Sequence, residues 1–168
     1  MKIWICNATL AAAIALTGAA QAQDNGEVCS LATLHGAYGF TISGQILEGP
    51  GTGPVNGVAL TTFDGQGGLI QTDFVVKSGA PAGPLNAFRT GEGGTYIVNA
   101  DCTGTATINF PDATPAQQIV LMFVVANQGR QIRTVVSALY VGQGIGTMTP
   151  TPAQISSEAT MLDRRGHE

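Results

Sequence analysis

Charged, aromatic and metal-binding side chains are scarce in this chain. Of its 168 residues only 11% are charged and 6% aromatic, and it has three cysteines and two histidines. The few scattered basic residues and the net charge of −4 exclude the basic surface that nucleic-acid binding requires. With His35 and His167 as the only histidines and no Cys-x-x-Cys pair, a zinc site lacks ligands. We therefore expect no nucleic-acid partner, no metal and no cofactor.

The N-terminal residues have the pattern of a secretory signal peptide. Lys2 precedes an apolar run that extends to about Ala20, and Ala20-Gln21-Ala22 has the form of a cleavage site. This predicts a signal peptide over residues 1–22 and an exported chain that begins at Gln23. Because the apolar run is shorter than a membrane crossing and no stop-transfer pattern follows, we expect no membrane span in the mature chain.

Two cysteines remain after this cleavage. Removal of Cys6 leaves Cys29 and Cys102, and an even number in an exported chain indicates one disulfide bond. A nucleophilic Cys102 would need a positioned base, and no adjacent residue supplies one.

Residues 23–149 have the composition and the regularly spaced turn residues of one all-β domain. Short runs of β-branched and aromatic residues alternate with Gly, Pro, Asn and Asp, and no segment before residue 150 has a sustained helical period. Short links predict an antiparallel up-and-down barrel of about eight strands, because closure removes exposed edges. Residues 150–168 are polar and are expected to form a flexible C-terminal tail. The candidate strands are 36–46, 55–63, 69–77, 94–99, 104–110, 118–126, 131–139 and 144–149.

The lengths of the links between strands predict a barrel that is closed at one end and has a mouth at the other. The links after the second, fourth and sixth strands are tight turns, whereas those at 47–54, 78–93 and 111–117 are long and lie at the opposite end. Cys102 then lies at the closed end, where the first strand begins. A disulfide to Cys29 would hold residues 29–36 across the floor as an N-terminal plug. The alternative is that the long loops are tolerated insertions without a function.

Alternation along the strands indicates which side chains face the lumen. We expect charges to face outward, because an unpaired buried charge is unfavourable. On the third strand this places Ile70, Thr72, Phe74 and Val76 inward; on the seventh it places Ile132, Thr134, Val136 and Ala138 inward. The first strand contributes either Tyr38, Phe40 and Ile42 or the small residues between them. The candidate ligand-binding residues are Phe40, Thr72, Phe74, Thr134 and Val136 in the lumen, with Arg89 and Glu92 in the longest loop at the mouth.

Several segments resemble a known group of proteins. HGAYGFTISG, LTTFDGQGG and GTYIVNADCTGTAT, with a cysteine before the first strand, resemble uncharacterised exported bacterial small β-barrel proteins. Their barrel is similar to plant allene oxide cyclase and, more loosely, to lipocalins. The resemblance implies a six- to eight-stranded antiparallel barrel in the bacterial periplasm, at the cell surface or in the medium. It transfers no catalytic residue to any position of this sequence.

Three functions are compatible with these patterns. The first is binding of a small lipophilic ligand in the barrel lumen. The second is a structural or interaction protein with a filled barrel, whose protein partner the sequence does not identify. The third is a cofactor-free isomerase or cyclase on a lipid-like substrate, which requires a buried ionisable group in the lumen. Alternation along the strands places no such group in the lumen. We therefore expect a binding protein rather than an enzyme.

Overall fold

A computed structural model describes residues 28–49, 51–143 and 147–162. The predicted signal peptide (residues 1–22) and His167 lie outside these ranges. One short 3-10 helix, Leu31–Thr33, precedes ten β-strands. They are β1 His35–Ile46, β2 Gly53–Asp64, β3 Gly68–Lys77, β4 Ala80–Pro81, β5 Arg89–Val98, β6 Thr103–Phe110, β7 Ala116–Ala126, β8 Gln131–Gly142, β9 Thr149–Thr151 and β10 Ala153–Met161.

Eight of these strands form a closed antiparallel barrel. They follow one another around the wall as β1, β2, β3, β5, β6, β7, β8 and β10, and β10 pairs with both β8 and β1. The short β4 and β9 pair with β3 and β8 near the rim. The predicted all-β up-and-down barrel of about eight strands is confirmed.

The last wall strand is not the one predicted from the sequence. Residues 150–168 were expected to be a flexible tail and 144–149 the eighth strand, whereas Ala153–Met161 forms β10 and closes the barrel. Of the segment 144–149, residues 144–146 lie outside the described ranges. Only Ile155 and Met161 are large and apolar on the inner face of β10, where Ala153, Ser157 and Ala159 are small, so its hydrophobic pattern is weaker than that of the other wall strands.

The barrel has a closed end and a mouth, as predicted. The turns at 65–67, 99–102 and 127–130 are short. The described residues of the connections that follow β1, β3, β6 and β8 lie at the opposite end.

A plug covers the closed end. A disulfide bond joins Cys29 to Cys102, which confirms the predicted pairing. The backbone N–H of Cys29 donates to the carbonyl oxygen of Ala100 at 3.2 Å. Leu34 is fully buried, and the Tyr96 hydroxyl lies 3.0 Å from the carbonyl oxygens of both Leu31 and Leu34. The N-terminal segment is therefore fixed to the wall covalently and by hydrogen bonds.

The inner face of β1 carries the large side chains. Tyr38 and Phe40 are buried in the core and Ile42 packs against it, so the first of the two alternatives considered for this strand is correct. Tyr38 and Tyr96 each meet Phe63 edge to face, at ring-centroid distances of 5.3 Å and 5.0 Å. This aromatic layer fills the barrel just above the plug.

The assignment of inner faces on β3 was wrong. Leu69, Gln71, Asp73, Val75 and Lys77 face the interior, whereas Ile70 is 67% exposed on the outer wall. Thr72, Phe74 and Val76 share that outer face. The prediction failed because it treated every charge as unpaired; in the structure a basic side chain from the adjacent strand neutralises Asp73.

On β8 the prediction is correct for the first half of the strand. Ile132, Thr134 and Val136 face inward, but a register irregularity opposite Val120 and Leu121 changes the phase. Beyond it Leu139, rather than Ala138, is buried in the core.

Candidate functional site

The barrel encloses a mainly apolar cavity of about 90 Å³. On this measure of volume a single water needs at least about 10–15 Å³, so the lumen has room for several water-sized groups. Its walls are formed largely by aliphatic and phenylalanine side chains, including Phe40, Phe63, Phe110 and Phe123. Small inward residues, Ala59 and Ala106, leave the space open. We refer to this space as the lumen cavity.

An ion pair lies on the wall of the lumen cavity. Arg89 on β5 donates from Nε to Oδ1 of Asp73 and from Nη2 to Oδ2, both at 2.7 Å. The Asp73 side chain is only 2% exposed and that of Arg89 13%. Although burial opposes it, the hydrogen bonds to Asp73 and its charge raise the pKa of Arg89. This bidentate geometry is the strongest that an arginine and a carboxylate form.

A bulge in β5 brings a second carboxyl group to the same wall. Residues three apart on a regular strand point to opposite faces, yet the side chains of Arg89 and Glu92, 13% and 3% exposed, both face the interior. The register explains this, because Asp73 pairs with Arg89 and Gln71 with Glu92, so β5 has one residue more than β3 between these points. Gly91, at φ +79°, supplies the left-handed backbone conformation that the bulge requires.

Glu92 is buried and incompletely hydrogen-bonded. Gln71 donates from Nε2 to Oε2 of Glu92 at 3.0 Å and accepts from the Thr61 hydroxyl at 2.9 Å. Oε1 lies 3.4 Å from Nε of Arg89 but accepts no hydrogen bond, and Arg89 Nη1 is likewise buried without a partner. Burial, and after it the charge of Asp73, raises the pKa of Glu92 to about 7. We call Asp73, Arg89 and Glu92 the charge cluster.

Lys77 closes part of the mouth. From the end of β3 its Nζ reaches β7 and donates to Oε1 of Gln117 at 2.9 Å. Burial, with a further contribution from the positive charge of Arg89, lowers the pKa of Lys77 to about 8, although Asp73 acts in the opposite direction.

A wider pocket lies outside the charge cluster, between the connections at 78–88 and 111–115. It has a volume of about 450 Å³ and is bordered by Arg89, Glu92 and Phe110. The Arg89 guanidinium stacks over the Phe110 ring at 5.1 Å from its centroid. Because Arg89 and Phe110 also border the lumen cavity, they separate this mouth pocket from the interior.

Only some of the predicted ligand-binding residues lie around the same cavity in the structure. Phe40, Thr134 and Val136 line the lumen cavity, as does Arg89; Glu92 borders the mouth pocket. Arg89 and Glu92 belong to the inner wall of β5 rather than to a loop. Thr72 and Phe74 face outward, where Phe74 meets Phe88 at a ring-centroid distance of 6.1 Å, so neither belongs to the lumen.

Sequence reasoning missed the polar part of the lumen. Gln71, Asp73 and Lys77 form one alternating set on β3, and Thr61 adds a hydroxyl from β2. The signal that could have identified them is the opposite charge of Asp73 and Arg89 on consecutive wall strands. A buried pair of opposite charges is compatible with a barrel interior where a lone charge is not.

Comparison of the chain with protein-family models, with curated proteins and with solved structures returns no significant match. The barrel type that the resemblance implied is confirmed by the structure, whereas none of these comparisons supports the family itself. Within the described ranges no cluster of three or more His, Cys, Asp or Glu side chains could hold a metal ion. The same residues include no helix with the length and hydropathy of a membrane crossing.

Proposed function

We propose that this barrel binds a small, mainly apolar molecule that carries one uncharged polar group. The observation that carries the proposal is an apolar lumen cavity bordered by Arg89, whose buried Nη1 has no hydrogen-bond partner. The buried Oε1 of Glu92, which borders the mouth pocket and lies 3.4 Å from Nε of Arg89, also accepts no hydrogen bond. Buried polar atoms are normally satisfied, so unpaired ones beside a cavity favour a ligand that completes them.

The pairing of Arg89 with Asp73 in the wall indicates that the polar group of the ligand is uncharged. Asp73 already neutralises Arg89 through two hydrogen bonds. A charged ligand would bring an unpaired ion into a poorly solvated space, which is strongly unfavourable. An uncharged oxygen, as in an alcohol, an aldehyde or a ketone, can accept from Arg89 Nη1 without that penalty. The apolar lining favours an aliphatic body, at about 0.8 kcal/mol per buried methylene.

The mouth pocket supports a route for entry. It lies at the end of the barrel that carries the long connections and shares Arg89 and Phe110 with the lumen cavity. A change of rotamer at Phe110 would join the two spaces without breaking the ion pair between Arg89 and Asp73. Export, predicted from residues 1–22, is part of this proposal: the protein would meet its ligand in the periplasm, at the cell surface or in the medium. N-terminal sequencing of protein recovered from the producing cell tests the predicted start at Gln23.

Isothermal titration and native mass spectrometry with 1-hexanol test the binding. We expect saturable binding of one hexanol per barrel. Ala59→Leu, which fills the lumen cavity opposite Phe40, should abolish binding, whereas Val58→Leu on the adjacent outward position should retain it. Circular dichroism verifies that both variants fold. Absence of saturable binding to the wild type would contradict the proposal and favour a filled barrel with a macromolecular partner, for which Met122 and Val124 on the outer face of β7 offer apolar surface.

The position of Glu92 beside Asp73 favours a second function, catalysis of proton transfer. A group whose pKa lies near 7 can both donate and accept a proton at neutral pH, and Glu92 has this property beside a cavity. The structure thus contains the buried ionisable group that a cofactor-free isomerase or cyclase requires. Exchange of the protons next to the carbonyl of 2-heptanone for deuterium, followed by NMR, tests this chemistry. Exchange that the protein does not accelerate, or that Glu92→Gln leaves unchanged, would exclude Glu92 as the base.

A further inference from the structure

Lys77 is the one lysine of the chain besides Lys2. Its position on the inner face of β3 is unusual for a lysine, since this residue type is almost always exposed. The side chain extends over the mouth from β3 to β7, past the two wall strands β5 and β6 that lie between them, and its Nζ donates to Gln117. It borders the lumen cavity and also a side pocket of about 270 Å³ at the rim. The amine therefore lies between solvent and the lumen.

The surroundings of this amine favour its uncharged form. Its hydrogen-bond partner is a neutral amide, and among the described residues no carboxylate lies within ion-pair distance of it. Asp73, the charged group on its own strand, is held by Arg89, whose positive charge faces Lys77 from β5. A desolvated lysine beside another cation is the environment that converts this residue into a nucleophile.

We propose that Lys77 binds a small apolar aldehyde or ketone by forming a reversible imine with its carbonyl carbon. This rests on the proposed function, because the alkyl body of that ligand occupies the lumen cavity, and it narrows the ligand to a carbonyl compound. The nitrogen lone pair of Lys77 attacks the carbonyl carbon, and one proton of that nitrogen passes through water to the carbonyl oxygen, which gives a carbinolamine. The carbinolamine hydroxyl takes up a proton from water and leaves as water, so the C–O bond breaks as the C=N bond forms, and the nitrogen returns its remaining proton to water. Addition of water reverses every step.

The geometry gives each neighbour a role in this step. Gln117 accepts from Nζ and so fixes the amine at the mouth. The side pocket provides an exit for the water that is released. The apolar lining below retains the alkyl chain, so each added methylene that still fits should lower the concentration for half-maximal labelling by about fourfold.

Reductive trapping tests the proposal on the wild-type protein. The protein is incubated with hexanal and sodium cyanoborohydride, which reduces an imine to a stable secondary amine, and the modified peptide is identified by mass spectrometry. We expect hexyl label on the peptide that contains Lys77, with an inflection of the labelling rate near pH 8. Hexanal should label at lower concentration than propanal. Peptide mapping separates this product from modification of the terminal amine.

A relocated lysine provides the matched control. Lys77→Arg keeps the positive charge and should lose the label. Lys77→Arg with Arg133→Lys places an amine on the outer wall, where the Arg133 side chain is 68% exposed. Because an exposed lysine stays almost fully protonated at pH 7, it should be labelled at least roughly 20 times more slowly than Lys77.

Equal labelling of Lys77 in the wild type and of the lysine introduced by Arg133→Lys would overturn the proposal, as would absence of label from Lys77. Binding of 1-hexanol, which has no carbonyl group, distinguishes failure of the imine proposal from failure of the proposed binding function. If hexanol binds but Lys77 is not labelled, the imine is wrong and lumen binding stands. If hexanol does not bind, the proposed function itself fails. Competition by hexanol against hexanal labelling would confirm that both occupy the same space.

Discussion

Replacement of Glu92 by glutamine should remove most of the pH dependence of stability near neutrality. Burial and the charge of Asp73 raise the pKa of Glu92 from 4.5 to about 7. The folded protein therefore retains a proton that the unfolded chain releases, and the free energy of unfolding must fall as the pH rises through this window. A pKa raised by this amount corresponds to a loss of about 3 kcal/mol between the two values. Glu92→Gln keeps the shape of the side chain and cannot ionise.

Urea unfolding at several pH values between about 5 and 7.5 measures this effect. Lys77 does not interfere: its pKa, lowered to about 8, makes stability rise only above that pH. Glu158→Gln is the matched control, since that side chain is 77% exposed and lies 3.7 Å from Arg133. His35 is common to all variants. A Glu92→Gln protein with the slope of the wild type would refute the assignment, as would a wild type whose stability is constant over this range.

Three further predictions concern the frame of the barrel. Cys29→Ser should lower the free energy of unfolding by about 4 kcal/mol, because the bond to Cys102 closes a loop with a sequence separation of 73; equal guanidinium midpoints with and without reductant would contradict this. Tyr38→Phe removes the hydroxyl that donates to the carbonyl of Gly129 in the core, and should cost about 1–3 kcal/mol in urea unfolding. An unchanged midpoint would show that this carbonyl finds another donor. Removal of residues 153–168 should give oligomers in size-exclusion chromatography, because β1 and β8 lose their shared partner; a stable monomer with a native circular dichroism spectrum would oppose it.

The barrel, and which of its ends is closed, could be predicted from the sequence because both depend on local signals. Turn residues such as those at 65–67 define tight links, and their order along a meander assigns each link to one end. The pairing of Cys29 with Cys102 followed from the count of cysteines after the predicted cleavage, and the order of the links gave its place at the closed end. None of these inferences needed knowledge of which side chains meet across the wall.

The charge cluster could not be predicted in this way, since it depends on pairing between strands. A rule that keeps charges outside a barrel holds for a single strand, and it fails when Asp73 and Arg89 neutralise each other on consecutive wall strands. The bulge at Gly91 adds a second difficulty, because it lets Arg89 and Glu92, which were predicted to lie in a loop, face the same side of β5. A similar irregularity in β8 altered the assignment of Ala138 and Leu139.

The C-terminal strand was missed for a different reason. Its inner face has only two large apolar side chains, Ile155 and Met161, and Thr134 of β8 meets Ser157 through a hydroxyl–hydroxyl contact of 2.7 Å. Backbone pairing on both edges supplements these few apolar contacts. The polar composition after residue 150 therefore indicated a tail although the segment is part of the wall.

The position of β10 has a consequence for biosynthesis. Tyr38, at the start of the ring, pairs with Met161 on its last strand, so the ring cannot be completed before residue 161 has left the ribosome. Until then the first and seventh wall strands each present a bare edge that invites pairing with another nascent chain. Contacts between such distant parts of a chain also form slowly. The growing polypeptide must therefore be kept apart from its copies for as long as its final strand is missing.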